Sequence, residues 1–319
     1  MHDVLAALGD VFRSMPIMWI GTIFIVGLLV GSFLNVVIHR VPIMLERDWK
    51  SQAEEILHAQ AAEPHSGSGP SALRPQPSAS SPPYNLVVPR SACPKCGAMI
   101  TASQNIPVLS WLFLRGKCAN CSAPISARYP IIELLTGVLS AAVAWKFGLH
   151  WYTAAALFLT WMLIALSGID FDTTLLPDNM TLPLLWVGLL LSLATTDPSI
   201  GLPVDMRSSI IGAVAGYLSL WSVYHVFKLL TGKEGMGYGD FKLFGALGAW
   251  MGWQMLPVII LLSAFTGSIV GIALIALRGR DRNIPIPFGP YLAAAGWIAL
   301  MWGPQLIGSY LHMSGIGTL

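Results

Sequence analysis

Gly237-Tyr238-Gly239-Asp240-Phe241-Lys242 opens an apolar run over about 241–252, and a second run follows from about 255 to 277. A carboxylate at the mouth of such a run is costly at a bilayer edge, and acids so placed usually mark functional sites. A second acid, Asp170, ends another hydrophobic segment. Whether the two can meet decides what kind of membrane protein this is.

The surrounding composition sets the class. Of 319 residues, 55% are hydrophobic and only 11% charged, with mean hydropathy +0.65. A soluble domain carries roughly 25% charged residues. The chain therefore reads as an all-α polytopic membrane protein embedded in the lipid bilayer. Its net charge of +2 raises no expectation of nucleic-acid binding, because the basic residues are not massed on one amphipathic face. Arg13 is the only Lys or Arg ahead of the first apolar run, about 17–38, which lacks a small-x-small cleavage site. That run reads as a retained anchor rather than a cleaved signal.

A spanning helix needs about 20 mostly apolar residues. Segments that qualify or nearly do lie near 17–38, 130–148, 152–169, 180–196, 209–230, 241–252, 255–277 and 287–309, giving about eight transmembrane helices. The sixth is short enough for a half-helix or a buried one. Lys and Arg set the orientation. Nine (Arg40, Arg47, Lys50, Arg74, Arg90, Lys95, Arg115, Lys117, Arg128) lie after the first span. Lys228, Lys233 and Lys242 lie between the fifth and sixth, and Arg278, Arg280 and Arg282 between the seventh and eighth. Only Arg13, Lys146 and Arg207 fall on the other side. The excess puts the large loop in the cytoplasm, both termini outside, and Asp170 and Asp240 on the cytoplasmic face at similar depth.

Three parts are expected: a first span within 1–40, a cytoplasmic loop over 41–128, and a membrane domain over 129–319. Within the loop, about 60–83 is rich in Pro, Ser, Ala and Gly and reads as a disordered insert. Glu46 to Ala59 reads as a helical extension of the first span. Gly212/Gly216 and Gly267/Gly271 have the GxxxG spacing of close helix packing, which suits ordinary packing better than a dimer interface; oligomeric state is not legible.

Cys93-Pro-Lys-Cys96 and Cys118-Ala-Asn-Cys121 are two C-x2-C hooks within a small domain over about 90–125. Four thiolates so spaced suit tetrahedral zinc in a ribbon-like domain, and leave no open catalytic position. Gly97 fits the tight turn after the first hook. The other reading is two disulfides or four free thiols, which a cytoplasmic location disfavours for the disulfides.

Asp240 alone could be the N-cap of the helix that follows, with the glycines supplying the turn. Asp172 reads as an interfacial charge, Asp178 in Leu175-Leu176-Pro177-Asp178 as turn or cap chemistry, and Glu133 as a paired or snorkelling acid. His39 and His225 have no metal-ligand spacing. Taken together, Asp170 and Asp240 suggest more. Two carboxylates brought close cannot readily both ionise and so share a proton. The ionised member can take a proton from water attacking a peptide carbonyl, and the protonated one can polarise that carbonyl and serve the leaving amine. On this reading the glycines before Asp240 admit an extended substrate strand.

The ordered motifs also carry a family resemblance. Gly237 to Lys242 matches the GxGD signature of membrane aspartyl proteases. Gly31-Ser32-Phe33-Leu34-Asn35-Val36 with His39-Arg40, the paired hooks, Arg128-Tyr129-Pro130 with Glu133, Ile169-Asp170-Phe171-Asp172 and Leu176-Pro177-Asp178 complete the set. The whole resembles the bacterial type IV prepilin peptidases, bifunctional leader peptidase/N-methyltransferases of pilus and type II secretion systems. The resemblance implies an enzyme of the cell inner membrane that cleaves the basic leader of prepilins and pseudopilins on the cytoplasmic side, after a glycine. It further implies methylation of the new amino terminus with S-adenosylmethionine, Asp170 and Asp240 as catalytic residues, and zinc on Cys93, Cys96, Cys118 and Cys121. No Gly-rich loop after a strand marks the methyl-donor site. Other readings are a peptidase without methylation, a proton- or cation-coupled transporter, and a non-catalytic assembly platform.

Overall fold

The computed structural model describes residues 9–61, 84–101, 103–278 and 287–313. The Pro/Ser-rich insert expected at about 60–83 lies almost entirely outside the described residues, as do Arg74, Arg280 and Arg282. Among the described residues the chain is helical, with three isolated β-bridges and no extended strand. The helices are α1 (Pro16–Ala61), α2 (Leu109–Phe113), α3 (Arg128–Phe147), α4 (Trp151–Thr173), α5 (Asp178–Leu191), α6 (Met206–Thr231), α7 (Tyr238–Met251), α8 (Leu256–Arg278) and α9 (Gly289–Met313).

Each of the eight apolar segments corresponds to a helix, but not each to a span. Five stretches are long and apolar enough to cross a membrane: Pro16–Leu57, Arg128–Phe147, Trp151–Thr173, Met206–Thr231 and Trp253–Leu274. Helices α5 and α7 have 14 residues each, about 21 Å at 1.5 Å per residue, against a hydrocarbon core of roughly 30 Å. Helix α9 is also not among the five stretches, so the expected count of eight spans is not carried by the helices. The run that begins at Phe241 is apolar because it is buried in protein. From Asp240 to Met251 every residue of α7 except Lys242 is buried.

Small residues let that burial happen. A Cβ on Gly212 of α6 would collide with the Gly248 carbonyl of α7, and one on Gly216 would come within 2.7 Å of the Phe244 oxygen. Ser209 donates to the Ala249 carbonyl at 2.6 Å across the same contact. The Gly212/Gly216 pair thus serves packing within the chain, as its spacing suggested. On the other flank Trp250 donates to the Leu184 carbonyl of α5 at 2.8 Å, with its indole over Gly188.

Helix α1 has 46 residues, about 69 Å, and so extends well beyond any bilayer; its continuation through Glu46 to Ala59 is as expected. Its inner half packs antiparallel on α3, where Gly27 lies against Ser140 and Gly31 against Glu133 and Thr136. Arg128, the first residue of α3, pairs with Asp172 at 2.7 Å and donates to the Gly168 carbonyl at 3.3 Å. The cysteine lobe, residues 84–127, therefore leaves and rejoins the bundle at the end where α4 finishes. The last turn of α4 carries Asp170.

Candidate active site

Asp170 sits one turn before the end of α4, which closes at Thr174 in the left-handed conformation (φ 51°) with its N–H on the Asp170 carbonyl. The segment that follows, ending in Leu176-Pro177, turns the chain back into α5. Asp240 sits in the first turn of α7. Gly237 is the N-cap of that helix and Asp240 is its third residue, so the N-cap expected for Asp240 is not where it stands. Its side chain reaches back to the Gly237 backbone, as the third residue of a capping box does.

The fold brings the two acids together. They interact electrostatically, and both are buried, with 5% and 6% of their surface exposed. Asp170 Oδ2 accepts the Gly289 N–H at 3.0 Å, at the first residue of α9, where the positive end of a helix dipole favours a carboxylate. Asp240 Oδ1 is buried without a hydrogen-bond partner among the described residues. A buried oxygen left unpaired costs roughly 1–3 kcal/mol, and such an orphan is ready to bond an incoming polar group.

Two glycines are explained by this geometry. A Cβ on Gly239 would sit 2.5 Å from the Leu176 Cβ and 3.2 Å from its carbonyl oxygen. The glycine is needed because the first turn of α7 presses on the chain leaving α4. Its absent side chain makes room for Leu176, a packing role beside the one expected for the glycines before Asp240. Gly289 was not singled out from the sequence. A Cβ there would come within 2.6 Å of Asp170 Oδ2 and 3.1 Å of Leu176, so only glycine lets the α9 amide reach the carboxylate. The sole hint in the sequence was a Gly-Pro pair opening the last apolar segment.

Around the pair, Lys242 bonds Asp178 at 2.6 Å. This ion pair ties the start of α7 to the start of α5. Asp178 is the first residue of α5, whose N-cap is Pro177 with no side-chain cap bond, so the expected cap role is replaced by the pairing. Asp172 is engaged with Arg128. Glu133 is buried and accepts the Val108 N–H at 2.7 Å, a backbone bond in place of the expected ion pair or snorkel. His225 faces the Trp221 carbonyl at 2.9 Å within its own helix.

The four cysteines converge in the lobe. Their sulfurs all lie within 4.8 Å of one another and none is in a disulfide. Each hook is a tight knuckle. Gly97 donates to the Cys93 carbonyl at 2.9 Å with φ 70°, and Ser122 donates to Cys118 at 2.9 Å with φ 58°. Bridges Ala92–Met99 and Lys117–Pro124 pin the two loops. Tetrahedral zinc with Zn–S bonds of about 2.3 Å sets sulfurs about 3.8 Å apart, and Cys93 and Cys121 are 3.8 Å apart. The Asn120 amide beside Cys96 holds its thiol down at about 6. Cys121 is instead pushed up to about 11, the Ala123 amide being outweighed by desolvation and by the neighbouring thiols. Thiols so crowded oppose each other's ionisation, and a bound cation relieves that. The donor set fits a four-thiolate metal ion.

Comparison with known proteins agrees with this layout. The bacterial peptidase A24 N-terminal domain matches residues 25–147, which hold the four cysteines, and the type IV leader peptidase family matches residues 157–272, which hold both acids. A protein of Aeromonas hydrophila named prepilin leader peptidase/N-methyltransferase is 54% identical over 96% of this chain and 99% of its own length. Proteins of the same name from Pseudomonas aeruginosa (51% identical, 96% and 98% covered) and Neisseria gonorrhoeae (50% identical, 86% and 87% covered) match likewise. No solved structure matches the chain. The chain belongs to the type IV leader peptidase family.

Proposed function

We propose that this protein cleaves the leader of type IV prepilins and pseudopilins at the cytoplasmic face of the inner membrane, with Asp170 and Asp240 as the catalytic pair. It then N-methylates the new amino-terminal residue. The observation that carries the reading is the pair itself: two carboxylates from helices 70 residues apart in sequence, both buried, at one end of an apolar bundle. The names of the relatives support the substrate and the second activity.

The roles divide by hydrogen bonding. Asp170 and Asp240 each accept a backbone amide, that of Gly289 and that of Gly237. Asp240 alone of the two keeps a buried oxygen unpaired, so Asp170 is the base that takes a proton from water as the water oxygen attacks the scissile carbonyl carbon. Asp240, whose Oδ1 is otherwise unpaired, carries the shared proton. It donates to the carbonyl oxygen as the tetrahedral intermediate forms. When the C–N bond breaks, Asp170 passes its proton to the leaving nitrogen and one hydroxyl of the gem-diol returns a proton to Asp240, which restores the starting state. S-adenosylmethionine supplies the methyl group for the second reaction. Zinc on Cys93, Cys96, Cys118 and Cys121 folds the lobe and takes no part in peptide cleavage, since four thiolates leave no open position.

Incubating the purified protein with a prepilin and the methyl donor, with the products read by mass spectrometry, tests both activities. The expected products are a shortened pilin and its singly methylated form. An intact prepilin would refute the peptidase, and a shortened pilin without added methyl would confine the enzyme to cleavage.

A further inference from the structure

We propose that residues 106–114 of the cysteine lobe form a membrane-interface anchor whose apolar face is seated in the lipid headgroup and acyl boundary. Helix α2 is two-sided. Trp111 turns inward, donating to the Ile125 carbonyl at 3.2 Å and covering Gly116. Ile106, Leu109, Leu112 and Phe113 turn outward, 49%, 52%, 57% and 83% exposed. Four large apolar side chains on one side of so short a segment mark a contact surface rather than scattered exposure.

The depth of that surface is fixed by a tether. The Val108 N–H donates to Glu133 at 2.7 Å, and Glu133 lies five residues into α3, about 7.5 Å along the axis. Helical side chains lean toward the N-terminus, so the bond holds α2 level with the first turns of a membrane-crossing helix. Val108 has φ 60°, a region β-branched residues rarely adopt and one that persists only where surrounding contacts impose it. The same turns of α3 present Ile131, Leu134 and Leu135 outward, so α2 is held at the level of an outward apolar face of that helix.

Charge selects the occupant. Arg115 and Lys117 follow α2 directly and are exposed. An apolar face rimmed by cations is the signature of a segment lying in the plane of an anionic membrane surface. Anchored there, the lobe cannot swing away from the end of the bundle that holds Asp170 and Asp240.

The test replaces Phe113 with the photo-crosslinker p-benzoylphenylalanine in the full chain. The protein is reconstituted in nanodiscs of phosphatidylethanolamine and phosphatidylglycerol, and adducts are read by mass spectrometry. The same replacement at Leu134 reports lipid contact, and at Leu57, far out on α1, it reports solvent. Phospholipid adducts at Phe113 should fall within about threefold of Leu134 and exceed Leu57 about tenfold, as for a side chain seated in the interface. Lipid adducts no higher than at Leu57 would overturn the proposal. So would adducts to an added prepilin in place of lipid, which would make this face a substrate surface.

Discussion

In the cysteine lobe, four donor atoms come from two stretches of four residues each, held by knuckle turns at the surface. In the helical body, two acids and one amide come from α4, α7 and α9, spread over 119 residues and buried by apolar packing. The lobe has little core of its own, so a metal ion would supply its stability. The body needs no ion: α6, α5 and α9 press α7 into place, and the glycines let backbones approach until the carboxylates meet. One centre is therefore robust to changes in the other, while each is sensitive to different damage.

Removing a carboxylate should have the largest effect. Asp170→Asn or Asp240→Asn, in protein that still inserts and folds, should lower prepilin cleavage about 10²–10⁴-fold, the usual weight of a general acid or base. Cleavage near the unsubstituted rate in either variant would remove that residue from the pair. Gly289→Ala comes next. It adds one methyl group 2.6 Å from Asp170 Oδ2 and should cost about 10²-fold in cleavage through misplacement of the base, with little change in helix content by circular dichroism. A fully active Gly289→Ala enzyme would break the claim that the α9 amide positions Asp170.

Damage to the lobe should read out differently. Purified protein should hold about one metal ion per chain, and Cys96→Ser with Cys118→Ser should abolish that content. Cleavage should fall no more than about tenfold, because the lobe contributes no group to the pair. Unchanged metal content would refute the four-cysteine site, and a loss of cleavage as large as in the Asp variants would refute the separation of the two centres. The smallest effect should come from Lys242→Met. Its partly exposed pairing with Asp178 is worth about 1 kcal/mol or less, visible as a modest drop in melting temperature.

The same contrast explains what the sequence disclosed. The cysteine site was legible because its spacing is local, down to the left-handed turn at Gly97; Ser122 makes the matching turn without a glycine to announce it. Counting Lys and Arg put Asp170 and Asp240 on one face but could not measure their approach, which depends on how α7 is enclosed. Hydropathy found eight helices. It could not by itself separate lipid burial from protein burial, so the 14-residue α5 read as a span, while α7 was short enough to allow the buried helix that it is. Gly239 and Gly289 were opaque for a related reason. The atoms that forbid a side chain at each belong to Leu176 and Asp170, far away in the chain.

The central claim is that Asp170 and Asp240 act as one unit, and a double-substitution cycle in the reconstituted enzyme tests it most directly. Cleavage rates of Asp170→Asn, Asp240→Asn and the two combined would be measured on one prepilin. For a shared-proton pair the combined variant should be no slower than the slower single variant, because the first loss already disables the unit. Losses that multiply, each substitution slowing the other by its full independent factor, would contradict it.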